Sequence, residues 1–371
     1  MHYTLHLTES CNLSCKYCYV KQSPQTMTPA ITHAAMDLAA RSKSNCGIIF
    51  FGGEPLLFRD LITDAVAYGE ALDQKRQNRF HYKITTNGLL MDDSFLRYSL
   101  EHEVFIALSF DGIRAAHDAN RVTHSGESTF EITEQRAKAL LASRPYAPVL
   151  MTVSPNTVRY YAESVGYLFS LGFRYLICSM NYAGAWDEKT LAELKKQYKK
   201  LAAFYKEKTL LEEKFYLSPF EVKISSHLLG ENYCTERCEL GKKQLSVGPD
   251  GNIYPCVQFV GEPHFSIGDV WSGIDEEKRW SLYRLNEEEK DECAGCVIQN
   301  RCNHHCACLN KQSTGDFRKA SPVLCAHERI LMPIADALAE ELYRKRSAIF
   351  IQKQYNDMFP LLSYIEDKIR K

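Results

Sequence analysis

The chain has 371 residues, which at about 150 residues per domain allows two domains and leaves room for a small third. Hydrophobic residues make up 45% and aromatics 11%, enough for a sizeable core, so a globally disordered chain is excluded. Lys plus Arg number 45 against 46 Asp plus Glu, and a net charge of −1 gives no bulk attraction to nucleic acid or to a membrane surface; neither is expected as a partner. The start, Met1-His2-Tyr3-Thr4-Leu5, lacks the basic segment and long apolar stretch of a signal peptide. Apolar runs such as 47–51 and 104–108 fall well short of the roughly 18 residues that a membrane span needs. A cytoplasmic location is expected.

In chain order, strands are predicted at residues 3–8, 47–51, 81–86, 104–110, 149–153 and 174–180, separated by segments with apolar residues at helical spacing, such as Ile31, Ala34, Ala35 and Leu38. Six such repeats over the first 225 residues predict an α/β fold, a partial (β/α)6 barrel with its chemistry at the C-terminal ends of the strands. Residues 187–213 read as a helix with a charged, solvated face. The texture then turns to loops, Gly, Pro and Cys, and Pro249-Asp250-Gly251-Asn252 predicts the turn of a hairpin over 244–256. From 327 to 369 the pattern is helical again, with an interruption expected at Pro360. The expected division is therefore a barrel at 1–225, a loop-rich domain at 226–330 and a C-terminal helical segment at 331–371.

Fourteen cysteines are unusual for a chain without an export signal, and they point to metal or cluster ligation rather than to disulfides. Cys46 and Cys178 stand apart and read as small buried hydrophobes. The others form two blocks. In the first, Cys11, Cys15 and Cys18 follow the first strand directly. Three thiolates on one short loop can hold three irons of a 4Fe–4S cubane and leave the fourth open to a small chelator. A structural zinc site is the other reading; it needs a fourth ligand, and only His6, within the strand, is near.

The spacing Cys11-x3-Cys15-x2-Cys18, with Tyr17 before the last cysteine, resembles the signature of the radical S-adenosylmethionine (SAM) superfamily. Further motifs follow in that family's order at strand ends: Gly52-Gly53-Glu54-Pro55, then Thr86-Asn87, then Ser109 and Asp111, then Arg121 after His117. The resemblance implies that SAM occupies the open iron and is cleaved to a 5′-deoxyadenosyl radical. It also implies that Glu54 accepts from the SAM amino group, that Thr86 and Asn87 pack the cofactor, and that Ser109, Asp111 and Arg121 serve ribose and carboxylate.

The second block comprises Cys238, Cys256, Cys293, Cys296, Cys302, Cys306 and Cys325, with Cys234 and Cys308 in addition. Paired zinc knuckles are one reading of its Cys-x2-Cys pair. The pattern resembles the SPASM domain, which implies two auxiliary 4Fe–4S clusters and three clusters in all. By that resemblance one auxiliary cluster uses Cys234, Cys238, Cys256 and Cys306, and the other uses Cys293, Cys296, Cys302 and Cys325. Cys308 has no assigned role.

Proteins of this kind imply a peptide substrate. The chain resembles maturases of ribosomally made peptides, which form thioether or other crosslinks; a cysteine-containing precursor is expected. More distantly it resembles anaerobic sulfatase-maturing enzymes, which make formylglycine. Those place an aspartate base directly after the hairpin cysteine, where this chain has Val257, so that outcome is disfavoured. A non-catalytic metal-binding scaffold is a third reading. Tyr182, His6 and His81 are candidate catalytic groups. Expected partners are the precursor peptide, an electron donor such as flavodoxin or ferredoxin, and a separate leader-binding protein. The segment 332–343 either presents an apolar groove or packs on the barrel.

Overall fold

The computed structural model describes residues 1–42, 44–75, 78–230 and 238–369; Cys234 lies outside them. All six predicted strands form: β1 (His2–Thr8), β2 (Cys46–Gly52), β3 (Phe80–Thr86), β4 (Phe105–Ser109), β5 (Pro148–Val153) and β6 (Tyr175–Met180). They pair in sequence order and in parallel. Helices α1 (Pro29–Ala40), α2 (Arg59–Asp73), α3 (Asp93–Glu101), α4 (Arg114–His117), α5 (Phe130–Ser143) and α6 (Tyr161–Leu171) fill the connections. Local sequence sets several starts: Thr28 caps α1 ahead of Pro29, and Asp92 caps α3. The result is the expected α/β partial barrel.

Two features at the sheet edges were not expected. Beyond β6 a two-residue strand, β7 (Tyr216–Leu217), extends the sheet. At the other edge β8 (Gln244–Val247) lies parallel to β1, with His2 opposite Gln244 and Leu5 opposite Val247, and β9 (Ile253–Tyr254) pairs antiparallel to β8. The predicted hairpin is thus present, but it is the continuation of the barrel sheet. That pairing carries the chain after Cys256 to the mouth of the barrel.

The charged helix α7 (Glu188–Leu210) opens with a reciprocal capping box between Asp187 and Thr190. It is followed by α8 (Ser218–Leu229), α9 (Glu276–Glu287), α10 (Ala307–Thr314), α11 (Pro322–Lys345), α12 (Ala348–Tyr355) and α13 (Phe359–Ile369). Pro360 does not interrupt a helix. It sits in the first turn of α13, where its missing N–H has no partner to lose, and the breaks fall instead at Arg346, with φ of 54°, and near Asn356. The segment 332–343 packs rather than forming a groove: Met332, Ala335, Leu338, Ala339 and Leu342 are buried, and α11 lies against α7 and α8.

One apolar cluster runs from Leu5 and Leu7 through Phe50, Ile84, Leu108 and Val149 to Leu201, Leu245 and the α11 residues. The cysteine-rich region has a separate, much smaller cluster of Leu240, Tyr254, Phe259, Ala307 and Cys308. Among the described residues no helix is long and apolar enough to cross a membrane.

Candidate active site

The C-terminal ends of the strands open into a cavity of about 910 Å³, within the range of small-molecule sites. Cys11, Cys15 and Cys18 line one side. Of the predicted cofactor contacts, Tyr17, Gly52, Gly53, Glu54, Thr86, Asn87, Ser109 and Arg121 line the same cavity. Pro55 and Asp111 do not: Pro55 is buried at the start of a short turn, and Asp111 is buried against Tyr17 and Arg121.

The Gly-Gly pair has a precise backbone reason. Gly53 N–H donates to Thr8 O at 2.7 Å and Glu54 N–H to Ser10 O at 2.9 Å, joining the exit of β2 to the cysteine loop. A Cβ on Gly53 would lie 2.0 Å from Ser10 O, and Gly52 has φ of 128°. The glycines therefore permit approach to the cysteine loop, not only to a ligand. The far side of that loop is held by Ser14 N–H to Val122 O, 2.8 Å, and Lys16 N–H to Asn120 O, 3.0 Å.

Glu54 is buried and bonded from three directions: Leu56 N–H and Thr86 Oγ1 to Oε1, at 3.0 and 2.7 Å, and Asn87 N–H to Oε2, at 2.8 Å. Burial raises its pKa, against the pull of those hydrogen bonds. Asp111 acts through its neighbours. Its Oδ2 accepts from Tyr17 at 2.5 Å and lies 3.1 Å from Arg121 Nε, and its Oδ1 accepts from Thr152 N–H at 3.0 Å. Burial opposes the charge on Arg121, yet Asp111, Tyr17 and Cys15 outweigh it and raise the guanidinium pKa. His117 is likewise internal, between Asp111 N–H and Thr129 Oγ1. Arg121 is thereby fixed beside the cysteine loop, suited to a carboxylate.

Burial pushes the Cys11 thiol up to about 12, with Leu13 N–H opposing, and raises Cys15. Such thiols ligate metal as thiolates, so loading must release protons. In the second block two groups separate. Cys306 lies 3.6 Å from Cys308 and interacts with Cys238, while Cys308 interacts with Cys256. Cys293, Cys296 and Cys325 interact with one another, and Cys302 interacts with Cys325. Cys306 thus lies in one thiol group with Cys238, Cys256 and Cys308. All-thiol donor sets of this kind fit iron–sulfur ligation. Among the described residues, no three His, Cys, Asp or Glu side chains close around a single metal ion.

The three catalytic candidates part company. His81 is exposed near the N-terminal end of β3, the end opposite the cavity. His6 is buried beside Phe51 outside the cavity lining, its pKa lowered by burial to about 3, which makes it a poor proton acceptor. Tyr182 does line the cavity, and its hydroxyl meets His327 Nδ1 at 2.8 Å, while Tyr198 meets Nε2 at 2.6 Å. Sequence reasoning missed His327, Tyr198, Lys223 and Glu328, all in the cavity wall. One signal was available: His327 and Glu328 interrupt the apolar stripe of Leu324, Leu331, Ala335 and Leu338 on α11. Cys178, expected as a buried hydrophobe, also lines the cavity; Cys46 is fully buried as expected.

Residues 5–180 match the Radical SAM superfamily. With the barrel and the three-cysteine loop in place, residues 5–180 form a radical SAM domain and the chain is an enzyme resembling maturases, so the scaffold reading falls. It is 22% identical over 320 residues to the cysteine-type anaerobic sulfatase-maturating enzyme of Clostridium perfringens, spanning 81% of this chain and 86% of that one. The structure of native anSMEcpe with bound AdoMet superposes with a TM-score of 0.81 at 21% identity, over 93% of this chain and all of that one. Streptococcus suis SuiB bound to precursor peptide SuiA gives 0.63 at 15% identity, over 87% and 75%.

Proposed function

We propose that this enzyme modifies a ribosomally made, cysteine-containing peptide, abstracting hydrogen through a 5′-deoxyadenosyl radical and forming a thioether or another crosslink. The observation that carries this reading is the shape of the cavity. It runs without interruption from Cys11, Cys15 and Cys18 to Val257, Gln258, Asn303 and Gln312 of the cysteine-rich region, leaving room for SAM and a substrate side chain end to end. The precursor peptide named in the SuiB complex is consistent with a peptide there.

A 4Fe–4S cluster with SAM supplies, when bound, the radical that takes hydrogen. Cys11, Cys15 and Cys18 would hold that cluster, Glu54 and Arg121 would orient SAM by its amino and carboxylate ends, and Thr86, Asn87 and Ser109 would line its bed. The two thiol groups of the second block would hold auxiliary clusters as electron acceptors, with Cys234 or Cys308 completing the first. We place the barrel at 1–225, the SPASM-like domain at 226–330 and the helical segment at 331–371; α8 and α11 run through both boundaries and tie the parts together. A flavodoxin or ferredoxin would deliver electrons, and a separate protein would bind the leader.

Formylglycine formation is the second reading. The coverage of the clostridial sulfatase-maturating enzyme favours it, and Val257, which lines the cavity without a proton-accepting group, weighs against it. The test is anaerobic reconstitution followed by reaction with SAM, reductant and a library of synthetic peptides each containing one cysteine. Peptide-stimulated 5′-deoxyadenosine with loss of two hydrogens is expected. Exchange of sulfur for oxygen would establish formylglycine formation instead. No modified peptide would overturn the peptide reading.

A further inference from the structure

Oxidative attack by a substrate thiol releases a proton as well as an electron, so the cavity needs an acceptor that is free to receive it. The residue after the hairpin cysteine, Val257, cannot do so. Among the described residues lining the cavity, the carboxylates are Glu54 and Glu328. Glu54 already takes three hydrogen bonds at the SAM end. The cavity's histidine, His327, has both ring nitrogens bonded to tyrosines, and the Tyr182 hydroxyl is spent on that contact.

Glu328 is different. Its side chain is 3% exposed, on α11, and faces Lys223 of α8, which is 5% exposed. Lys223 Nζ donates to Glu328 Oε1 at 3.0 Å and to Arg301 O at 3.1 Å. Glu328 Oε2 lies 2.9 Å from the ammonium but accepts no aligned hydrogen bond. Oε2 is thus ion-paired but lacks an aligned donor, which a ligand in the cavity can supply. Lys223 and Glu328 both line the cavity, and the bond from Lys223 to Arg301 O puts the pair against the cysteine-rich region.

We infer that Glu328 is the proton acceptor of the oxidative step, its Oε2 receiving the S–H of the substrate cysteine. This rests on the peptide reading above. In that step the substrate carbon would lose one hydrogen atom to the 5′-deoxyadenosyl radical that bound SAM supplies, giving 5′-deoxyadenosine. The substrate sulfur would give its proton to Glu328 and bond to that carbon, and the one remaining electron would go to an oxidised iron–sulfur cluster held by the thiols of the cysteine-rich region. Lys223 is a positioning residue that holds the carboxylate at the cavity wall.

The test compares reconstituted wild type with Glu328→Gln and with the double variant Lys223→Gln, Glu328→Gln, on the same single-cysteine peptide library. The double variant removes both charges together, which avoids stranding a buried ammonium. The ratio of 5′-deoxyadenosine to modified peptide, near one for a coupled enzyme, should rise by about a hundredfold in both variants. Deoxyadenosine formation itself reports a folded, loaded barrel, and Glu328→Asp should recover part of the coupling. A ratio unchanged in the double variant would overturn the inference while leaving the peptide reading intact. A wild type that modifies no peptide would overturn that reading, and the inference with it.

Discussion

The barrel and the cysteine-rich region are stabilised by different means. In the barrel, side chains from every strand β1–β6 join one apolar cluster, and Leu5, Ile48, Phe50, Ile84, Leu108 and Val149 are all fully buried. At about 1.5–3 kcal/mol for each large side chain buried, that cluster is a sufficient driving force on its own. Residues 238–325 bury five side chains in their own cluster, one of them a cysteine. Of their other buried apolar side chains, Leu245, Val247, Ile253, Ile267 and Val270 belong to the barrel's cluster, and polar bracing adds to them: Asn286 Nδ2 donates to His305 O, and Asn310 bonds His304 O and Ser321 N–H. With so small a core of its own, the region leans on the barrel through docking of β8 on β1, and on the proposed reading ligation by its thiols would supply the rest of its order. On the proposed reading, the barrel is a scaffold that positions a cofactor and the cysteine-rich region is a fold that a cofactor would complete.

Removing iron should therefore act on one half. After anaerobic chelation, amide exchange over 238–325 is expected to accelerate by orders of magnitude while β2, β3 and β4 stay protected, as hydrogen–deuterium exchange with mass spectrometry would show. Uniform loss of protection would break the contrast.

Point substitutions give smaller effects. Ile84→Ala should cost about 2–5 kcal/mol by denaturant unfolding, through a cavity in the main cluster. Asn310→Leu should cost about 1–3 kcal/mol, because it strands the His304 carbonyl and the Ser321 amide, and its effect should be confined to the cysteine-rich region.

The same contrast governs what the sequence reveals. Barrel strands are local and periodic, so all six were legible, as were the motifs at their ends. The internal roles of Asp111 and His117 were not, because a motif shows which residues matter but not which way a side chain turns. His81 shares β3 with Thr86, and only strand direction puts it at the wrong end. The parallel pairing of β8 with β1 joins residues more than two hundred positions apart, which no local pattern encodes. Lys223 and Glu328 meet through the packing of α8 on α11, so each alone reads as an ordinary charged helical residue.

The central claim, that the barrel's cysteine loop and the two thiol groups of the cysteine-rich region serve one cavity, is tested most directly by iron and sulfide content and 5′-deoxyadenosine yield in wild type, Cys15→Ala and Cys293→Ala. The account predicts about twelve irons per chain in wild type and fewer in each variant, with deoxyadenosine lost in Cys15→Ala but still formed in Cys293→Ala. About four irons in wild type, or deoxyadenosine surviving Cys15→Ala, would contradict it.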